Sequence, residues 1–264
     1  MSKMHHHVSI DYYAYLSTLR NWNTSFKVVF SVMALIIVIV SNSIPVSITT
    51  MIFMMLLTVG IGKIKMKDYW RLLSIPVTFI LLSGVAIAIQ FGRASDSLGT
   101  ISIYALQLSV SKQSLMMAIN VAFKAFGAIS AVYLMTLSTP VGEIISVFRK
   151  IHFPVLILEL MHLIYRYIFI LSEINQKQKD ATRSRLGYCD LKTSFRTFSS
   201  EMANLLIMSL KKANVYYDAM EARGYEGNCL FWEEKRVLTV SQIGYAVLYG
   251  GLILTVSVLW RNYG

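Results

Sequence analysis

VVFSVMALIIVIVSNSIPVSITTMIFMMLLTVGIG, residues 28–62, runs for 35 positions without a charged side chain. A helix crosses the hydrocarbon core of a bilayer in about 17 to 20 apolar residues, so this stretch is long enough for two crossings. Asn42-Ser43-Ile44-Pro45 supplies the break near its middle. The reading is a tight helical hairpin in a membrane.

Downstream, Lys63, Lys65, Lys67 and Arg71, with Trp70, form a basic turn, and a third uncharged run covers 72–92. Residues 93–112 are mildly polar and are expected to lie on the outer side. A fourth apolar run over 114–137 is interrupted by Lys124. An ammonium at membrane depth is costly, and this one is read as paired with a neighbour or placed near one end rather than as a transport residue. A fifth uncharged run closes the chain at 237–260. Upstream, Tyr12, Tyr13, Tyr15 and Trp22 with Arg20 and Lys27 suit a segment with rings at headgroup depth and cations toward the cytosol. His5-His6-His7 reads as a tail, since no further ligand stands at fixed spacing.

The whole composition agrees: of 264 residues, 55% are hydrophobic and 15% charged. A net charge of +11 could suggest nucleic acid, but position decides its meaning. Residues 143–236 hold 14 basic and 11 acidic side chains, leaving 11 basic and only three acidic ones (Asp11, Asp68, Asp96) for everything else. That excess sits at membrane edges, as the positive-inside rule requires of cytoplasmic loops, and no basic block interleaved with exposed aromatics argues for nucleic acid. The amino terminus and 140–236 are therefore expected in the cytosol and the carboxyl terminus outside. Cys189 and Cys229 read as free thiols in a reducing compartment. The first apolar run begins too far in for a cleavable leader, so insertion is expected to use the spans themselves.

Residues 140–153 read as a short amphipathic helix lying in the headgroup plane and ended by Pro154. Residues 155–171 are apolar again, but Glu159, His162 and Arg166 recur at helical spacing, an expensive pattern for an isolated span. The reading is a helix that starts at the membrane and runs into the cytosol through Glu173 and Lys177. Glu159 and His162 at i, i+3 resemble half of a di-metal pair, but no second half exists in the sequence, so they are read as structural. In 191–225, Leu191, Phe195, Phe198, Met202, Leu205, Ser209, Ala213, Tyr216 and Met220 recur every three or four residues, an apolar stripe for the preceding helix to cover. The two helices are expected to be antiparallel or crossed.

Each of these helices ends in a version of one pattern. The first reads Asp180-Ala181-Thr182-Arg183-Ser184-Arg185-Leu186-Gly187-Tyr188, the second Asp218-Ala219-Met220-Glu221-Ala222-Arg223-Gly224-Tyr225. A glycine lets the chain turn with positive φ, and an arginine offers a rigid donor fork for a partner's carboxylate. Either copy alone would be an ordinary helix cap. The repetition, with matched flanks, points to a pair of docking tips.

These two copies resemble the Ala-Arg-Gly-type motifs of the transmembrane T component of energy-coupling factor transporters, the CbiQ/EcfT family, closest to its cobalt/nickel group. Tyr13-Ala14-Tyr15 through Leu19-Arg20 and Leu137-Ser138-Thr139-Pro140 carry the resemblance across most of the chain. It implies that Ser184, Arg185 and Gly187 in the first motif, and Ala222, Arg223 and Gly224 in the second, end coupling helices that dock in grooves of two ABC-type ATPase subunits. It further implies a separate membrane substrate-binding (S) component, with ATP bound by the partner subunits and no cofactor in this chain. The first motif departs from the pattern, its glycine one residue late, so its helix end is expected to be shaped differently.

The expected fold is an all-α membrane protein of about five spans with a cytoplasmic pair of long crossed coupling helices. Its parts are an interfacial segment (1–25), a four-helix membrane region (26–139), a cytoplasmic coupling domain (140–236) and a final span (237–264). Lacking a Ser/His/Asp set, a Walker-type loop or a metal-ligand cluster in its sequence, the chain is expected to be no enzyme but a coupling subunit in the cytoplasmic membrane. Cobalt or nickel is the expected cargo. The alternatives are a T component for a vitamin and a self-contained cation permease using Lys124, Glu159, His162 and Arg166. The permease is disfavoured because a cation path needs more intramembrane acids. A lipid-modifying enzyme would need paired acid and base residues on a cytoplasmic loop.

Overall fold

The computed structural model describes residues 10–91, 97–103, 106–225 and 236–263. Among them, nine α-helices follow one another: α1 (Ile10–Leu16), α2 (Thr24–Ser41), α3 (Ile44–Leu56), α4 (Met66–Ala88), α5 (Lys112–Ser138), α6 (Val141–Lys150), α7 (Val155–Ser184), α8 (Leu191–Glu221) and α9 (Val240–Tyr263). The chain divides into two compact units, Met1–Ile144 with Glu234–Gly264, and Ile145–Glu233.

The hairpin read from 28–62 forms the start of the first unit. Asn42, at φ 48°, ends α2 in the left-handed conformation, and Pro45 sits in the first turn of α3, where its missing N–H is no loss. A single π-turn (Leu57–Ile61) extends α3. Helix α5 lies at the centre, packed against α1, α2, α3 and α4. Lipid tails give no hydrophobic drive for helices to associate, so close packing of small residues has to supply it. Accordingly Ala34, Ser47 and Ala131 are wholly buried. A Cβ on Gly127 of α5 would lie only 3.0 Å from the Ser47 carbonyl and 3.2 Å from Val38. Helix α9 joins through α3, where Tyr249 packs on Phe30 and Phe53 and its hydroxyl meets Thr50 Oγ1 at 3.1 Å. Ile75, Phe79 and Leu82 of α4 and Val247 and Leu254 of α9 remain exposed, as lipid-facing side chains should be.

Two features depart from the sequence reading. The connection between α4 and α5, expected only to be mildly polar and outside, carries a three-stranded antiparallel sheet, with β1 (Ile89–Phe91), β2 (Ser97–Ile103) and β3 (Leu106–Ser111) in the order β1-β3-β2. The signal was present: Leu106, Leu108 and Val110 alternate with Gln107, Ser109 and Ser111, the period of a strand. The second departure concerns α7. By length and composition six described helices could cross a membrane, the five expected and α7. The chain is a helical, multi-pass membrane protein.

In the second unit α7 and α8 run antiparallel. Glu159 meets Tyr225, Tyr167 packs on Tyr216 at 5.3 Å between ring centroids, and Tyr188 meets Glu201. The apolar stripe of α8 is only partly covered: Met202, Leu205, Ser209, Tyr216 and Met220 are half-buried, whereas Leu191, Phe195 and Phe198 in its first turns are exposed.

Candidate functional site

The two repeated helix ends have the same backbone geometry. At the end of α7, Leu186 N–H donates to the Arg183 carbonyl (3.1 Å) and Gly187 N–H to the Thr182 carbonyl (3.0 Å). At the end of α8, Gly224 N–H donates to the Glu221 carbonyl (2.9 Å) and Tyr225 N–H to the Met220 carbonyl (3.1 Å). These paired bonds, three and five residues back, make a Schellman motif, which needs one left-handed residue. That residue is Gly224 (φ 78°) in the second copy and Leu186 (φ 58°) in the first. The expectation of a differently shaped first end is thus corrected, and so is the role given to its glycine. Gly187 is required by crowding instead, since a Cβ there would lie 2.4 Å from Thr182 Cγ2 and 3.2 Å from Thr197 Cγ2 of α8.

Each tip is then tied to the opposite helix by its tyrosine. Tyr188 Oη donates to Glu201 Oε2 at 2.6 Å, and Tyr225 Oη donates to Glu159 Oε2 at 3.2 Å. Both glutamates are buried, at 5% and 3% exposure. The hydrogen bond to the Glu201 carboxylate, and then burial, raise the Tyr188 phenol above its ordinary range, so the neutral donor is the form present at physiological pH. At the start of α8, the Thr193 hydroxyl donates to Asp190 at 2.6 Å and holds that carboxyl below its usual range, a negative charge placed at a helix amino end.

Ser184, Arg185, Ala222, Arg223 and Gly224 are exposed, and Gly187 is half-buried. The two arginines are not brought together. They stand at opposite ends of the α7–α8 pair, whose 31-residue α8 spans about 45 Å at 1.5 Å per residue. The pair thus presents two separate exposed guanidinium forks, one at each end, rather than one combined site.

Of the other residues singled out, Lys124 donates to Asn42 at the α2–α3 turn, which places it at one end of that hairpin and beside a partner. Glu159 anchors Tyr225, and Arg166 lies over the Tyr216 ring. Sequence reasoning missed a cluster at the other end of the first unit. There Glu143 accepts from Arg236 Nη2 (3.0 Å) and Thr24 Oγ1 (2.8 Å), with Arg20 Nε 3.9 Å away. Lys27, 2% exposed, donates to the Ser138 carbonyl at 2.7 Å. Only a contact spanning more than 90 residues pairs Glu143 with Arg236, and no local spacing announces it.

Comparison with known proteins bears on this arrangement. Residues 16–232 match the family CbiQ, described as cobalt transport protein. An uncharacterized protein of Methanocaldococcus jannaschii is 26% identical over 263 residues, covering 100% of this chain and 97% of its own. The cobalt transport protein CbiQ of Salmonella typhimurium is 23% identical over 167 residues (63% of this chain, 74% of its own). That of Rhodobacter capsulatus is 24% identical over 196 residues (74% and 72%).

Proposed function

Because the chain belongs to the CbiQ cobalt transport protein family, we propose that it is the transmembrane coupling component of an energy-coupling-factor importer in the cytoplasmic membrane. In this reading two ABC-type ATPase subunits bind and hydrolyse ATP and engage the tips at Arg185 and Arg223. A separate membrane subunit, the S component, binds the cargo, a divalent metal ion such as cobalt or nickel. This chain carries the motion between them and performs no chemistry itself.

The observation that carries the reading is the pair of matching helix ends. Both are Schellman motifs, both present an exposed arginine just before the left-handed residue, and both are fastened to the opposite helix through a buried glutamate. Such an object transmits displacement of one end to the other, because the helices between the tips are stiff and the tips cannot swivel freely. A groove carboxylate on each ATPase would take the arginine fork in two parallel hydrogen bonds.

The same reading keeps α7 out of the bilayer despite its composition. Helix α8 runs alongside it and carries Lys192, Arg196, Lys211 and Lys212, while Arg166 and Glu159 lie within the apolar part of α7 itself. A pair with so many charges along its length is costly as a membrane crossing and suits the cytoplasmic surface. Five crossings result, with both tips on one side.

Purification of the tagged chain in mild detergent tests the proposal: an ATP-binding protein should accompany it, and metal uptake into liposomes should need that partner and ATP. Metal uptake by liposomes holding this chain alone would overturn it in favour of a permease.

A further inference from the structure

Between the last turn of α7 and the first half of α8 lies a cavity of about 300 Å³, lined chiefly by Gln178, Thr182, Arg185, Ser200, Glu201 and Asn204. Its rim is open, since Arg185, Ser200 and Asn204 are exposed, and its floor is the buried Glu201. One carboxylate oxygen of Glu201 is used by Tyr188; the other, Oε1, is buried and has no hydrogen-bond partner. The side-chain oxygen of Gln178, in the same lining, is buried and unpartnered as well. Two shielded acceptors, both on residues that line this polar cavity, thus lack a donor. A metal ion is a poor occupant, for no group of three acidic, His or Cys side chains stands together among the described residues.

We propose that this cavity receives a basic side chain, lysine or arginine, of the protein that docks on the first tip, with Glu201 as its charge partner and Gln178 as a second acceptor. The proposal rests on the docking reading given above and extends it. Arg185, on the rim, faces the opposite way in charge: it takes a carboxylate while Glu201, beneath it, takes a cation. The surface that fits is therefore an acidic and a basic side chain set side by side, and each neutralises the field that would otherwise repel the other from the cavity. Such a crossed pair also fixes orientation, because a groove offering acid alone leaves the buried Glu201 oxygen unpaired.

The test uses the full chain in detergent with the co-purifying ATPase, whose affinity is measured at low and high KCl for wild type, Glu201→Gln, Tyr188→Phe and Arg185→Ala. Glutamine keeps the size of residue 201 and its acceptor for Tyr188 but removes the charge. The expected result is an affinity loss on the order of thirtyfold for Glu201→Gln, with a weaker dependence on salt than wild type and a smaller loss for Tyr188→Phe, which breaks only the tether. If Glu201→Gln binds as wild type while Arg185→Ala does not, the cavity holds only water and this proposal fails, with the docking reading intact. A loss for Tyr188→Phe as large as that for Glu201→Gln, with unchanged salt dependence, makes Glu201 a tether alone and also overturns it. Wild-type binding by Arg185→Ala removes the first tip from the docking surface, and this inference with it.

Discussion

Leu186 and Gly224 stand at the same place in two helix ends. Each follows the exposed arginine, each holds a positive φ (58° and 78°), and each amide donates to the carbonyl three residues back. A leucine in this conformation costs about 1 kcal/mol or more relative to glycine. Leu186 is nevertheless 74% exposed, so no burial in this chain offsets that cost.

The glycines of the two motifs should therefore respond differently to substitution. Gly224→Ala meets no atom within 4 Å and should lose about 1 kcal/mol through its positive φ, whereas Gly224→Asn should lose less. Gly187→Ala should lose about 1 to 3 kcal/mol because its new methyl collides with Thr182 and Thr197, and asparagine there should be no better. Thermal unfolding of the four variants in detergent checks the contrast; equal tolerance of asparagine at both positions would refute it.

Within the first unit, Glu143 gathers Arg236 and Thr24, with the Arg236 and Glu143 side chains 13% and 20% exposed. Glu143→Gln should lower stability by about 2 kcal/mol, since it removes the carboxylate charge that faces the Arg236 guanidinium at 3.0 Å. Combined with Arg236→Met, part of that loss should return, because the guanidinium that faced the lost charge is then gone as well. The unfolding midpoints of the two single variants and the double variant provide the check, and simple additivity would show that the two do not interact.

Topology offers a third measurement. With five crossings, Cys189 is cytoplasmic, so a membrane-impermeant thiol reagent should label it only in permeabilised cells, and a tag at the carboxyl terminus should be cleavable from outside. Cys189 is an exposed free thiol, so silence in intact cells would not be due to burial. Cys229, which lies outside the described residues, should behave alike. A sixth crossing through α7 reverses the result for Cys189 and places the tag inside.

How much of this was legible beforehand depended on the range of the interactions. The hairpin at Asn42–Pro45, the span ending at Ser138 and the two helix ends are written in local patterns: missing charge, proline, a repeated Asp-Ala. The strands Ile89–Phe91, Ser97–Ile103 and Leu106–Ser111 are legible only in part, because composition marks a polar connection between spans and only the alternation in 106–111 marks a strand. The tyrosine–glutamate ties were not legible. Tyr188 and Glu201 are 13 residues apart across a turn, and Tyr225 and Glu159 are 66 apart. Only the antiparallel pairing of α7 and α8 makes such residues neighbours. Leu186 shows the limit of motif reading, since the alignment set glycine against glycine while the backbone sets Leu186 against Gly224.

The docking role of the arginines makes the sharpest demand. Arg185→Ala or Arg223→Ala removes a charge-assisted contact and strands the partner's carboxylate, a loss of about 2 to 5 kcal/mol where that contact is desolvated. The fold should survive, since both side chains are exposed and neither backbone cap depends on them. Lysine should restore only part of the affinity, for it keeps the charge and loses the planar fork. Each single variant still holds the ATPase pair through its other tip, about 45 Å away along α8 by helix rise, so the second contact forms at a high effective concentration. The double variant loses that advantage together with both contacts, and its association should fall far more than either single variant's. Pull-down of the ATPase and ATP-driven metal uptake, with membrane expression as control, measure this directly. Normal association and uptake by the double variant at normal expression would reduce the repeated ends to helix caps and remove the basis for the coupling role.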